Sequence, residues 1–203
     1  LVNFPPDVEP EILIVDDDVN LLGTMRDILK LKGFESVSAP TGTAGLAQIE
    51  KHVFDLALID LRLGDMSGLE VLRAIKARSP ETECILLTGH ASQHSAIEAA
   101  QMGVYGFFQK PFEMEHLLLS IQHAVEKKQS AQALQKSEAS LRAVLQSTAD
   151  GILAVGSENE VLYANERFVE MWRISPAMMT SKDDSVLLQG VLDQLNDPQG
   201  FLK

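Results

Sequence analysis

Carboxylate side chains follow two short apolar runs of the sequence, at positions where they could act together. The run 12–15 leads directly into Asp16 and Asp17, and the run 56–59 leads into Asp60. Carboxylates that crowd together repel each other strongly unless a cation neutralises them. Oxygen ligands of this kind, with room for water, suit Mg²⁺ or Mn²⁺. The pattern therefore predicts a divalent metal site formed by Asp16, Asp17 and Asp60, rather than a set of helix and loop caps.

A hydroxyl and an ammonium group follow two later apolar runs. Thr88 comes directly after the run 85–87, and Lys110 comes directly after the segment 107–109. A metal ion, a fixed cation and a hydroxyl around an acceptor carboxylate are the electrostatic requirements of phosphoryl transfer. Each residue alone is unremarkable, but the set at four successive runs is specific for this chemistry.

The elements that must position these side chains alternate regularly along the chain. Segments with apolar residues at helical spacing separate the short apolar runs, which is typical of repeated βα units around a parallel sheet. In such open sheets, ligands lie beyond the carboxyl ends of the strands, so the four strand ends are expected to converge. The predicted strands are residues 12–15, 34–38, 56–59, 85–87 and 104–108.

Four motifs identify a family resemblance over residues 11–125. They are VDDD at 15–18, LIDLRL at 58–63, LTGH at 87–90 and FFQKPF at 107–112. Their order and spacing resemble those of the receiver domain of two-component response regulators. The resemblance implies an α/β, flavodoxin-like fold with a doubly wound, five-stranded parallel sheet.

The resemblance also implies a reaction and its cofactor. Asp60 would accept a phosphoryl group from a phosphohistidine of a sensor histidine kinase or phosphotransfer protein. Asp17 and Asp60 would hold Mg²⁺ (or Mn²⁺) directly, together with the backbone carbonyl of Arg62, and Asp16 would act through water. Asp18 is expected to cap the helix that begins near Val19.

Further roles carried over from the family fall on the last two motifs. Thr88 and Lys110 would bind the phosphoryl oxygens, and the bond between Lys110 and Pro111 would be cis. Phe107 would pair with Thr88 as the conformational switch. Arg62 and His90 would tune dephosphorylation.

The region after Pro111 has a different pattern. Residues 113–147 contain no Gly or Pro and predict one helix of about 50 Å. We expect a homodimer through residues 113–147, formed by a parallel coiled coil, with a simple linker rod as the alternative. Ser, Thr and Lys make this seam weak. Its two apolar registers are Leu117, Ile121, Ala124, Lys128 and Ala131, and then Leu134, Ser137, Leu141, Val144 and Thr148.

The C-terminal segment has a strand-like pattern. Residues 151–164 predict a β-hairpin followed by a short helix, and residues 184–195 are again helical in period. The stretch 145–172 resembles the opening of a PAS domain, with an unrelated small α+β cap as the alternative. The expected organisation is an N-terminal extension at 1–10, a receiver domain at 11–125, a helical linker at 126–147 and a partial PAS domain at 148–203.

Composition limits the remaining classes of function. The chain has 17 Lys and Arg against 29 Asp and Glu, for a formal net charge of -12. Direct binding to nucleic acid or to an anionic membrane is therefore not expected. A single cysteine, Cys84, excludes a disulfide framework. No apolar run has the length of a membrane span, so a cytoplasmic protein is expected.

These observations favour phosphorelay signalling, in which the chain is a phosphoacceptor with at most self-catalysed phosphorylation and dephosphorylation. The receiver would signal through the linker helix to the PAS domain and a missing output module. The full protein could be a hybrid sensor histidine kinase or a PAS-GGDEF diguanylate cyclase. A Mg²⁺-dependent phosphatase with Asp60 as nucleophile is disfavoured, because Arg62 stands where a second Asp is expected. A scaffold without chemistry is disfavoured because every motif residue is present.

Overall fold

The computed structural model describes residues 10–89, 93–157 and 160–175, together with positions 178, 190, 191, 193 and 194. The chain divides into two compact units, one ending at Gln132 and the other starting at Ala133. The strands are β1 Glu11–Val15, β2 Glu35–Ala39, β3 Leu56–Asp60, β4 Glu83–Thr88, β5 Gly106–Gln109, β6 Leu153–Val155 and β7 Val161–Ala164. The helices are α1 Val19–Leu31, α2 Gly42–Ile49, α3 Gly68–Arg78, α4 Gln93–Gln101, α5 Met114–Ser147 and α6 Glu166–Met171.

The first unit is built on a five-stranded sheet with the order β2-β1-β3-β4-β5. All four strand pairs are parallel. Each connection between strands contains a helix, as parallel pairing requires. The predicted flavodoxin-like α/β fold is confirmed.

Two strands begin later than their apolar residues suggest. Phe34 and Val104 were predicted to begin strands, but β2 starts at Glu35 and β5 at Gly106. The Phe34 N–H donates to Leu29 O at 3.0 Å, and the Val104 N–H donates to Ala99 O at 3.2 Å. Each follows a glycine with positive φ, 86° at Gly33 and 71° at Gly103. Their backbones complete the ends of α1 and α4, so only their side chains belong to the apolar core.

The sheet is covered on both faces because successive strand residues point to opposite sides. One layer is formed by α1 and α5, and the other by α2, α3 and α4. Among the described residues, the strand side chains under α1 and α5 include Ile12, Ile14, Leu56, Leu58, Ile85 and Leu87. Those on the opposite face include Leu13, Val15, Ala57, Ile59, Cys84 and Leu86.

Helix α5 is 34 residues long, in agreement with the single helix predicted from residue 113 to 147. Its first apolar register is packed in the core of the first unit as far as Lys128, which is the last buried residue in the helix. The second register is open: Leu134, Leu141 and Val144 are 62%, 60% and 58% exposed. The buried side chains of the first register therefore contact the receiver core, whereas the apolar side chains of the second register are exposed.

The second unit contains the predicted hairpin. Strands β6 and β7 are antiparallel, and α6 follows directly. Phe168, Ile174 and Val191 are the buried apolar residues that the structure describes in this unit. Most of the helix predicted at 184–195 lies outside the described residues.

Asn165 is the polar centre of this unit and is fully buried. Its Oδ1 accepts hydrogen bonds from the N–H groups of Ile152 (2.8 Å) and Phe168 (2.9 Å). Its Nδ2 donates to the carbonyls of Leu145 and Asp150, both at 2.9 Å. One side chain therefore joins the end of α5, the entry to β6 and the start of α6.

None of the helices in the described part of the chain combines the length and apolar character that a membrane span requires.

Candidate functional site

Three carboxylates meet at the carboxyl end of the parallel sheet. Asp60 ends β3, and Asp16 follows β1, whose Val15 pairs with Ile59 of β3. Asp16 is 0% and Asp60 6% exposed, whereas Asp17 is exposed. One oxygen from each of the three lies within 4.8 Å of the others. This compact set of hard oxygen donors fits a divalent cation.

Backbone hydrogen bonds hold two of the carboxylates in place. Asp16 Oδ1 accepts the Asp18 N–H at 2.9 Å, and the Asp16 N–H donates to Ala39 O at 3.2 Å. Asp60 Oδ1 accepts the Arg62 N–H at 3.0 Å. These bonds turn one oxygen of each carboxylate toward the chain, and the other oxygen, Oδ2, contacts Lys110 Nζ.

Asp18 has a separate role. Its Oδ1 accepts the N–H groups of Asn20 and Leu21, at 2.9 and 3.2 Å. It is the N-cap of α1, as the sequence predicted.

Lys110 supplies the positive charge of the site. Its Nζ lies 2.6 Å from Asp16 Oδ2 and 2.5 Å from Asp60 Oδ2. The Lys110 N–H donates to Thr88 O at 2.7 Å, and the bond to Pro111 is cis. Lys110 thus pairs with two of the three carboxylates, and the cluster keeps an excess of negative charge for a cation to balance.

Burial and pairing shift two ionisable groups. Burial raises the pKa of Asp16, although hydrogen bonds from Lys110 and from the Asp18 N–H oppose the rise. Burial alone would lower the pKa of Lys110, but hydrogen bonds to Asp16 and Asp60 outweigh it, so the pKa of Lys110 is raised. Lys110 is therefore a permanent cation, and the Asp16 carboxylate would gain further from a second positive charge.

Thr88 and Phe107 lie on neighbouring strands. Thr88 is the last residue of β4 and is fully buried. Phe107 pairs with Leu86, two residues before Thr88, so both side chains point to the same face of the sheet. Phe107 is partly buried in the layer of α2, α3 and α4. His90 lies outside the described residues.

The loop from β3 to α3 places Arg62 beside Asp60. Arg62 and Ser67 form an isolated antiparallel bridge, and the Gly68 N–H donates to Leu61 O at 3.0 Å. A Cβ at position 68 would collide with the Asp60 carbonyl, so glycine permits this tight closure. The Arg62 side chain is exposed, and its backbone N–H donates to the Asp60 carboxylate.

Three structurally important residues were not singled out from the sequence. Asp65 lies at the tip of the β3–α3 loop, and its carboxylate accepts a hydrogen bond from the Gly42 N–H at the start of α2. Lys128 and Asn165 are buried polar groups with several hydrogen bonds each. The only sequence feature that pointed to a buried Lys128 was its position in an apolar register. Asp65 could be predicted only as part of a turn.

Comparison with known families identifies the chain. The model of the response regulator receiver domain matches residues 12–122, which is more than half of the chain. The chain belongs to the response regulator receiver family. A PAS domain model matches residues 139–203, so the receiver is followed by a PAS domain, and the resemblance to both families is confirmed.

Several relatives of this receiver are characterised proteins or solved structures. The C4-dicarboxylate transport transcriptional regulatory protein DctD of Rhizobium meliloti is 33% identical over 147 residues, which is 72% of this chain and 31% of that protein. A CheY-like receiver domain protein from Methanospirillum hungatei JF-1 is 34% identical with a TM-score of 0.60, over 61% of this chain and 99% of that one. The chain thus spans about a third of the curated relative.

A third relative is also a solved response regulator. A response regulator from Burkholderia pseudomallei was solved with a phosphorylated aspartic acid, a calcium ion and citrate. It is 25% identical with a TM-score of 0.54, over 68% of this chain and 84% of that one. Membership of the family places the receiver in phosphorelay signalling by response regulators.

Proposed function

We propose that Asp60 of the receiver accepts a phosphoryl group from the phosphohistidine of a sensor histidine kinase or phosphotransfer protein, in a reaction that requires Mg²⁺ (or Mn²⁺). The observation that carries this proposal is the position of Asp60. It lies among Asp16, Asp17 and Lys110 at the carboxyl edge of the sheet.

The chemistry follows from this arrangement. A carboxylate oxygen of Asp60 attacks phosphorus, the P–N bond to the donor imidazole breaks, and the electron pair leaves with the imidazole nitrogen. Lys110 and Thr88 receive the phosphoryl oxygens and stabilise their charge. Mg²⁺, held by Asp17, Asp60 and the Arg62 carbonyl and by Asp16 through water, would offset the charge that carboxylates and phosphoryl oxygens bring together.

The conformational response to phosphorylation then involves the neighbouring strands β4 and β5. Thr88 moves toward the phosphoryl group, and Phe107, on the same face of the sheet, follows into the space. Arg62 and His90, which follow Asp60 and Thr88 by two residues, tune hydrolysis of the acyl phosphate. A phenylalanine ring offers no hydroxyl, so this switch acts through packing alone.

The signal passes along α5 to the PAS domain. The functional division is an extension at 1–10, a receiver at 11–125, a linker at 126–147 and a PAS domain at 148–203. The exposed register of Leu134, Leu141 and Val144 supports a homodimer through the second half of α5.

Direct nucleic-acid binding is not part of this proposal. The net charge of -12 disfavours contacts with phosphate backbones. The relative DctD is named as a transcriptional regulatory protein, and this chain covers 31% of it.

The test is intact-mass measurement after incubation with acetyl phosphate and Mg²⁺. One added phosphoryl group is expected on the wild-type chain. None is expected when Mg²⁺ is chelated or when the chain carries Asp60→Asn. The Asp27→Asn variant is the matched control, because it makes the same chemical change at an exposed position of α1.

Two outcomes would refute the proposal. A phosphoryl group on the Asp60→Asn variant would show that another residue is the acceptor. No phosphoryl group on the wild type, either from acetyl phosphate or from a phosphorylated histidine phosphotransfer protein, would show an inactive site.

A further inference from the structure

The tip of the β3–α3 loop is tied to a different part of the receiver. Asp65 accepts the N–H groups of Gly42 and Thr43, at 2.8 and 2.9 Å. It also accepts the Thr43 hydroxyl at 2.7 Å. These partners are 22 and 23 residues away in the sequence and form the first turn of α2. One carboxylate therefore fastens the loop that follows Asp60 to a neighbouring helix.

Asp65 is not needed as the cap of either adjacent helix. The N-cap of α2 is Thr41, whose hydroxyl accepts the Ala44 N–H at 3.1 Å. The N-cap of α3 is Ser67, which forms a capping box with Glu70. Asp65 adds acceptors for two further N–H groups at the positive end of α2, where a carboxylate is favourable.

The segment that leads from β2 into α2 also contacts the acidic site. The Asp16 N–H donates to Ala39 O, which ends β2 just before α2 begins. The loop tip also packs closely here, since a Cβ at Gly42 would collide with the Met66 side chain. The segment 39–43 is thus joined both to Asp16 and, through Asp65, to the loop that carries Arg62.

We propose that Asp65 is a positioning residue for the divalent cation. Its tether to α2 holds the β3–α3 loop, and with it the Arg62 backbone, beside the Asp60 carboxylate. This inference rests on the proposed function, because the cation is the one required for phosphorylation of Asp60. Without the tether, the loop keeps its local closure but loses its fixed position relative to β1.

The test compares divalent-cation affinity with stability. Mn²⁺ binding is measured on the full chain from the loss of the free-ion signal in electron paramagnetic resonance. Asp65→Ala is expected to raise the Mn²⁺ dissociation constant about tenfold, which is typical for loss of an outer-shell partner. Thr43→Val removes one of the three hydrogen bonds and is expected to have a smaller effect.

Glu70→Ala is the matched control. It also removes one carboxylate from this loop region and weakens a helix start, because Glu70 accepts the Ser67 N–H at 2.9 Å. It leaves the tether to α2 intact, so its Mn²⁺ affinity is expected to stay close to that of the wild type. Thermal unfolding without metal shows whether the variants lose comparable stability.

A second measurement separates positioning from catalysis. Asp65→Ala is expected to need more Mg²⁺ for half-maximal phosphorylation, yet to reach the wild-type rate and extent at saturating Mg²⁺. If Asp65→Ala does not fold, Asp65→Asn replaces it, because the amide keeps one acceptor oxygen and changes the other to a donor.

The results of these measurements distinguish a positioning role of Asp65 from a purely structural one. Equal Mn²⁺ affinity of Asp65→Ala and Glu70→Ala, with lowered melting temperatures, would reduce Asp65 to an additional helix cap and overturn the proposal. Absence of Mn²⁺ binding by the wild type would also overturn it. If Mn²⁺ binds and depends on Asp65 while no phosphoryl group is ever added, the proposed function fails and the positioning role remains.

Discussion

Lys128 of α5 forms a buried ion pair with Asp55 at the amino end of β3. The Lys128 Nζ lies 3.1 Å from Asp55 Oδ1 and 2.8 Å from Phe54 O, and its side chain is only 3% exposed. Asp60 ends the same strand, so the ion pair and the Asp60 carboxylate lie at opposite ends of β3. The pair fixes the last buried position of α5 against this strand.

The neighbouring lysine makes a more exposed set of contacts. Lys127 Nζ lies 2.6 Å from Glu83 Oε1, at the start of β4, and 5.4 Å from the centre of the Tyr105 ring. Its side chain is 64% exposed. Water screens this pair, and we expect it to contribute less to stability than the buried contacts of Lys128.

Removal of one partner of the buried pair is expected to be costly. Asp55→Ala leaves the Lys128 ammonium without its counter-charge and also frees the Glu11 N–H, which donates to Asp55 Oδ2 at 2.9 Å. We expect the free energy of unfolding to fall by about 3 kcal/mol, the cost of an uncompensated buried charge. Lys128→Met should cost less, because it removes the buried charge and keeps the Asp55 bond to Glu11.

Urea denaturation measures both variants, with Asp27→Ala as the control. Asp27 pairs with Arg26 at 3.6 Å on the exposed side of α1, so its loss should cost less than about 0.5 kcal/mol. A larger loss of stability for Lys128→Met than for Asp55→Ala would contradict this account of the pair.

The pH dependence of stability should report on Asp65. Hydrogen bonds from the Thr43 N–H and hydroxyl lower the pKa of Asp65 from 3.8 to about 2. Because the folded pKa lies below the unfolded value, ionised Asp65 stabilises the fold above pH 3.8, and this contribution is lost as pH falls toward 2. The difference in unfolding free energy between the wild type and Asp65→Asn should therefore shrink over that window.

Acid titration of unfolding by urea tests this expectation, with Asp27→Asn as the reference variant. Other carboxylates also titrate in this range, so the comparison is between variants at each pH. A difference for Asp65→Asn that stays constant down to pH 2 would show that its carboxylate does not gain from the α2 contacts.

Loss of the Asn165 side chain should unfold the second unit selectively. Asn165→Ala leaves the buried N–H groups of Ile152 and Phe168 without acceptors, and each such group costs about 1–3 kcal/mol. We expect a loss of about 3 kcal/mol for this unit and little change in the receiver. Amide hydrogen exchange resolves the two units.

Two further variants test which hydrogen bonds of Asn165 matter and whether the effect is confined to the second unit. Asn165→Asp keeps the acceptor oxygens but loses the donors to the carbonyls of Leu145 and Asp150, so it separates the two halves of the network. Asn20→Ala alters an exposed asparagine of α1 and should leave exchange in the second unit unchanged. Uniformly faster exchange in both units of Asn165→Ala would argue against a local role.

Self-association should depend on the exposed register of α5. We expect a dimeric mass for the wild type by light scattering and a monomeric mass for Leu141→Glu, because a buried charge opposes pairing of an apolar seam. Gln132→Glu adds the same charge on the other side of the helix and should leave the dimer intact. A monomeric wild type at all concentrations, with and without acetyl phosphate, would favour the simple linker rod.

The class of fold and the residues of the acidic site could be predicted from the pattern of the sequence. Short apolar runs between amphipathic segments can be satisfied only by strands covered on both faces, and side chains that follow parallel strands reach the same edge. Asp16, Asp60, Thr88 and Lys110 were found on this basis. The helical period of 113–147 likewise fixed the extent of α5, because it has no Gly or Pro to end it.

The contacts between side chains far apart in the sequence could be known only from the tertiary structure. The Lys110 contact to Asp16 spans 94 residues, and its existence depends on the strand order β2-β1-β3-β4-β5, which local pattern does not encode. The tether from Asp65 to Thr43 depends in the same way on how α2 lies beside the β3–α3 loop. A helical period shows which side chains share a face, but not what covers that face. The first register of α5 is therefore core and the second is open, although both have the same spacing in the sequence.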